Sequence, residues 1–378
     1  MTPWVALLFW AMMVSALLRS GTDSSRVLTA AAKSFWLVQP VSRKALQGRA
    51  VALLLAMFAS MPLVFLLAVR KDVGTDYASY VEMFDRFRAG EALSWIEPLY
   101  AMLNRLAAPL GPSGVVLVFV VSAALAALPL FYRIFRSSPI PWLSVLMLFG
   151  FSLPFFMTNG MRSAIAIGII MLVFPSIWRR QVVVWSLGVL LAGGFHFTAL
   201  LLWPLYWALH LAWPRMFALA GLVGAIALSS FREIGVGFLK VVDVILPSKY
   251  SHYPERVLER LDTYELGLGY LIYVSIAGLV ILVWNRSSND VREVLVFRNA
   301  SILSLILLIG LYQFWAVNRL GLYLIPALTV FLPWVVQRWV ASRERVLWTS
   351  GLAILFSAMF VRGLWVGSHQ AVPYNWIL

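Results

Sequence analysis

Apolar runs of membrane length follow one another along the whole chain, separated by short polar connections. They predict spanning helices at about 4–18, 49–69, 113–132, 140–157, 162–178, 182–195, 197–213, 216–230, 267–285, 299–316, 320–336 and 347–366. The expected fold is therefore an all-α polytopic membrane protein of about 12 transmembrane helices, within a range of about 10–13. The run 182–213 is too long for one upright helix and too short for two full ones with a loop. Gly193-Gly194-Phe195-His196 supplies a break there, because adjacent glycines loosen the helix. No heptad run, internal repeat or low-complexity tract interrupts this pattern.

Composition agrees with the pattern. Of the 378 residues, 62% are hydrophobic and 12% charged, with a mean hydropathy of +0.86. Soluble chains carry about a quarter charged residues. One integral membrane domain over 1–378 accounts for the whole length, with no room for a separate soluble domain. The first run, Trp4 to Leu18, has no basic n-region and no Ala-x-Ala site, and reads as a retained helix. Cysteine is absent, so disulfides, thiolate nucleophiles and thiolate metal sites are excluded together.

The net charge of +14 fits cytoplasmic-loop bias and contact with anionic membrane lipids, not nucleic acid. If 19–48 is cytoplasmic, the loops up to residue 196 place ten basic residues inside and six outside. The counts downstream are even, at seven and seven. On this topology two outer loops, 70–112 and 231–266, hold twelve of the sixteen acidic residues. The segment 19–48, with Lys33, Arg43 and Lys44 among apolar and aromatic residues, reads as a cytoplasmic interfacial segment.

Several polar side chains lie where a membrane protein places them at a cost. Arg162, in Thr-Asn-Gly-Met-Arg-Ser, and Arg319, in Val-Asn-Arg-Leu, stand at breaks between apolar runs. Each alone reads equally as a snorkelling anchor; together they form two fixed guanidiniums, whose planar fork suits phosphate oxygens. Glu97 precedes Pro98 and an apolar stretch, at a depth where an unpaired carboxylate is costly. Asp76 lies just before a helix with aromatics at 77, 80, 84 and 87, where capping or catalysis would explain it. His196 interrupts an apolar stretch and is able to exchange protons near neutral pH or donate to a substrate. Tyr253, in Tyr-Ser-His-Tyr, belongs to a tyrosine-rich second loop that reads as a sugar-stacking lid or a solvated amphipathic loop. No metal-ligand spacing and no nucleotide-binding glycine pattern occurs, so neither metal nor cofactor is called for.

An ordered set of motifs adds to this reading. Gly74-Thr75-Asp76-Tyr77-x-x-Tyr80-x-x-x-Phe84 is followed by Glu97-Pro98-x-Tyr100, Asn159-Gly160-x-Arg162-x-x-x-Ala166, Phe195-His196-Phe197-Thr198-Ala199-Leu200 and Asn318-Arg319-Leu320-x-x-Tyr323. Across about residues 70 to 330 the set resembles the EpsG-like group of bacterial Wzy-type polysaccharide polymerases. The stretch after residue 340 carries none of these motifs.

The resemblance implies a GT-C-like polymerase/ligase bundle in the bacterial inner (plasma) membrane, its site facing the periplasm and flanked by the two larger loops. Its substrates would be lipid-linked oligosaccharide donor and acceptor, with undecaprenyl diphosphate as leaving group and room for a chain-length regulator as partner. Site residues would be Asp76 or Glu97 as catalytic base, and Arg162, Arg319 and His196 on the diphosphate. Tyr77, Tyr80, Tyr253 and Tyr323 would contact substrate. O-antigen ligase and lipid-linked oligosaccharide flippase are the rival readings.

Overall fold

A computed structural model of the chain describes residues 2–17, 43–231, 266–287, 291–314 and 317–375. Among the described residues every regular element is helical. The longer helices are α1 (Thr2–Leu17), α2 (Arg43–Ala68), α3 (Tyr77–Arg88), α4 (Pro98–Ala107), α5 (Gly114–Ser137), α6 (Pro141–Gly150) and α7 (Leu153–Asn159). They continue with α8 (Met161–Val173), α9 (Val182–Phe195), α10 (Arg215–Ser230), α11 (Leu268–Leu282), α12 (Arg292–Gly310), α13 (Ile325–Trp339) and α14 (Arg345–Trp365).

Among the described residues five helical segments are long and apolar enough to cross a membrane: Gly48–Ala68, Pro98–Ser137, Met161–Trp178, Arg292–Gly310 and Arg345–Trp365. The pair α6 and α7, bent by 49°, makes a sixth if counted as one broken span, and shorter apolar helices such as Val182–Phe195 accompany them. The chain is a multi-pass membrane protein.

The run expected to cross at 197–213 takes a different form. It comprises a 3₁₀ turn, Phe197–Leu202, and a five-residue helix, Leu205–Leu209. Pro204 lies between them and has no N–H to continue the ladder. The stretch expected to form the first outer loop is also structured, since α3 and α4 occupy about half of 70–112. Of the interfacial segment expected at 19–48, residues 19–42 lie outside the described residues, and from Arg43 the chain is already in α2. Nearly all of the second loop, including Tyr253, also lies outside them.

The chain forms two compact units, residues 1–206 with 329–378, and residues 207–328. In the first, α2 and α8 flank α5, while α1 and α14 flank α6. Rings bind these layers: Trp4 meets Phe155 edge-on at 5.0 Å, and Phe155 stacks on Phe360 at 5.8 Å. After α14 the chain turns back. Trp4 Nε1 donates to Ala371 O at 3.0 Å, and the N–H of Lys71 to Asn375 O at 3.0 Å. In the second unit α10 and α11 pack on α12, and Arg298 lies over the Trp284 ring at 3.9 Å.

Helix α3 follows from its sequence. Its aromatic stripe buries Tyr80, Met83, Phe84 and Phe87, while Glu82 and Asp85 stay exposed. That stripe faces protein: Tyr77 packs on Phe119 of α5, and Tyr80 on Tyr100 of α4.

Candidate functional site

Three breaks in helical structure meet in the first unit. Glu97 is the extended residue before α4, with Pro98 at the first helical position, where a missing N–H costs nothing. Gly160 separates α7 from α8 and puts Arg162 in the first turn of α8. His196 ends α9 in extended conformation (φ −154°, ψ 113°) before the 3₁₀ turn. The break expected at Gly193-Gly194-Phe195-His196 thus falls at its last residue.

These breaks bring an acid, a guanidinium and an imidazole together. Arg162 Nη1 donates to Glu97 Oε2 at 2.5 Å. The backbone N–H of Phe197 donates to Oε1 at 3.2 Å, and His196 Nδ1 lies 3.4 Å from the same oxygen. A cation in the first turn of a helix opposes the helix dipole, and the Glu97 carboxylate beside it relieves that conflict. Burial pushes the Glu97 carboxyl up. The contact with His196 and the charge of Arg162 outweigh it and hold the group down at about 2. Exposure rises from 6% at the Glu97 side chain to 14% at His196 and 22% at Arg162, so the arginine is the most open member.

Tyr80 extends the group toward Asp76. Burial raises its phenol above the ordinary value, opposed by the Arg162 charge and reinforced by Asp76. Asp76 occupies the cap position of α3, yet its side chain makes no capping bond; the Thr75 hydroxyl donates to it at 3.1 Å. It is half-buried, as is Tyr77.

Arg70 is the buried cation that the sequence pattern hid, because an arginine just after an apolar run reads as a membrane-surface anchor. Its residue is 1% exposed. The guanidinium donates to the carbonyl of Leu67 in the last turn of α2 and, at 3.4 Å, to that of Thr158 near the end of α7. It also lies 4.4 Å from the Phe119 ring centre. Burial lowers it to about 10, which leaves it charged at neutral pH. It lines, together with Ser122, a cavity of about 10 Å³, roughly one water in size.

The turns carrying Asp76 and Arg162 touch. Gly74 has φ +96°, and a Cβ there would lie 2.5 Å from Asn159 Oδ1 and 2.8 Å from the Thr158 carbonyl, so a side chain is excluded by both conformation and space. Asn159 Nδ2 in turn reaches His369 Nδ1 at 3.3 Å and His369 O at 3.2 Å. His369 lies in the stretch without motifs, and sequence offered no signal for it.

The first unit therefore gathers Glu97, Arg162 and His196, with Tyr80 beside them and Asp76 and Tyr77 at the start of the adjoining helix. Arg319 and Tyr323 belong to the second unit. There Arg319 opens the short helix Arg319–Leu322 and is half-buried, whereas Tyr323 is wholly buried. Among the described residues no group of three acidic or histidine side chains gathers at metal-ligand spacing.

Apolar helices around a buried acid–guanidinium–imidazole group define an integral membrane protein with a polar, cation-bearing site. A model of the EpsG family matches residues 53–376, and the chain belongs to that family. The family is associated with membrane polysaccharide polymerases of the glycosyltransferase type. Neither a curated protein nor a solved structure gives a significant match.

Proposed function

We propose that this protein joins lipid-linked oligosaccharide repeat units into a surface polysaccharide at the periplasmic face of the inner membrane, in a GT-C-like bundle of about twelve crossings. The observation that carries the reading is Arg162. It is a partly open guanidinium in the first turn of a helix, whose present partner is a carboxylate that an incoming diphosphate replaces. His196 orients the donor diphosphate beside Arg162.

In the reaction an acceptor sugar hydroxyl attacks the anomeric carbon of the donor unit, and its proton passes to a carboxylate. The anomeric C–O bond breaks, and its electron pair leaves with undecaprenyl diphosphate. A single displacement of this kind inverts the anomeric centre. Asp76 suits the base better than Glu97. A carboxylate held at about 2 by Arg162 and His196 is a weak proton acceptor at neutral pH. Glu97 instead sets the positions of Arg162 and His196. Tyr77, partly open beside Asp76, is the tyrosine best placed to meet a sugar; Tyr80 and Tyr323 are buried and act as packing.

Replacing the chromosomal gene with Arg162→Ala should abolish long polymer, leave the protein level unchanged and accumulate lipid carrying one repeat unit. Accumulation of that lipid on the cytoplasmic side would identify a flippase. Normal polymer would overturn the reading.

A further inference from the structure

We propose that His369 is a positioning residue of the diphosphate site, holding through Asn159 the turn from which Arg162 projects. The inference rests on assigning Arg162 to the lipid diphosphate. His369 and Gln370 form a turn after α14 and are both non-glycine residues in the left-handed region, with φ of 59° and 52°. Such conformations cost free energy and persist where surrounding contacts fix them.

The contacts here run to both candidate loops. Gln370 O accepts the N–H of Gly74 at 3.1 Å, two residues before Asp76. Asn159 Nδ2 donates to His369 O at 3.2 Å and faces its Nδ1 at 3.3 Å. The Thr158 hydroxyl donates to the Phe155 carbonyl at 2.7 Å, and the His369 carbonyl, which can only accept, sets the Asn159 amide with its NH₂ toward the histidine. Nδ1 is therefore the acceptor, and the neutral ring carries its proton on Nε2. Phe156 meets the imidazole edge-on at 5.8 Å. Two residues, Gly160 and Met161, separate Asn159 from Arg162; Gly160 leaves helical dihedrals (φ −86°, ψ 51°), although its N–H still donates to Phe156 O and its carbonyl still accepts from the N–H of Ala164, each at 2.8 Å. The ring acceptor is thus one of the fixed points that set where α8 begins.

Three substitutions separate the ring from the backbone. His369→Ala removes the acceptor and disfavours left-handed φ; His369→Gly removes the acceptor and favours that φ. His369→Asn keeps an acceptor oxygen and tolerates it. The measurement is binding of undecaprenyl diphosphate to the purified full chain in nanodiscs. Both Ala and Gly variants should bind about three- to tenfold more weakly, and Asn should restore most of the affinity. Asn159→Ser, which cuts the contact from the other side, should weaken binding to the same degree. Its combination with His369→Gly should be no worse than either alone.

Loss in Ala but not in Gly would assign the effect to backbone strain and overturn the proposal. Undiminished binding in both, while Arg162→Ala binds poorly, would overturn this inference alone. Undiminished binding in Arg162→Ala would remove the assignment beneath it.

Discussion

Arg70 and Arg162 are both guanidiniums set among apolar helices, and they are neutralised in opposite ways. Arg70 is sealed in and faces carbonyls near the C-terminal ends of α2 and α7 together with the Phe119 ring. Partial negative charge at helix ends and an aromatic face suffice for it. Arg162 lies at the opposite pole of a helix, where the dipole repels it, and depends on a full carboxylate charge from Glu97. Carbonyls are part of the backbone and cannot be exchanged. A side-chain carboxylate can give way to a diphosphate. The contrast separates a cation locked to fixed backbone carbonyls from one whose partner is a side chain, the kind of cation the proposed function requires.

The largest expected effect follows from that difference. Arg162→Ala should lower polymerisation by at least about a hundredfold, as loss of a charge-stabilising group does, with normal membrane-protein level on immunoblots. Arg162→Lys should recover only part of it, because an ammonium lacks the planar fork. At Arg70 the loss should appear in stability. Arg70→Ala strands two helix-end carbonyls and opens a cavity, costing about 3 kcal/mol, seen as a lower melting temperature in detergent.

Acid should distinguish the two arginines further. The Glu97 carboxyl lies at about 2 in the folded chain against a reference of 4.5. Its contribution is therefore complete above pH 4.5 and is lost as pH falls toward 2. That loss amounts to roughly 3 kcal/mol. Melting curves across this window should show it in the parent and not in Glu97→Gln. An equal acid response in both would break the pairing account. The smallest effect serves as a control: the exposed Arg86–Glu91 bridge should contribute less than about 0.5 kcal/mol when Glu91 is changed to Gln.

Legibility in the sequence followed the cost of each feature. A carboxylate before Pro98, an arginine between apolar runs and a histidine at a glycine break are each expensive in a membrane, and these three do come together. The helix at Tyr77–Arg88 was legible from its aromatic spacing. Arg70 was hidden because its position, one step past an apolar run, is where harmless anchors also occur. His369 was hidden because its role depends on a chain reversal after α14 that no local pattern encodes. The run 182–213 misled in its second half, since hydropathy registers apolar content and not the missing N–H of Pro204.

Affinity for undecaprenyl diphosphate, measured on the full chain in nanodiscs at fixed ionic strength, tests the central claim most directly. The account predicts at least about tenfold weaker binding for Arg162→Ala, and binding within about twofold of the parent for folded Arg70→Ala. Equal affinity in Arg162→Ala and the parent would contradict it.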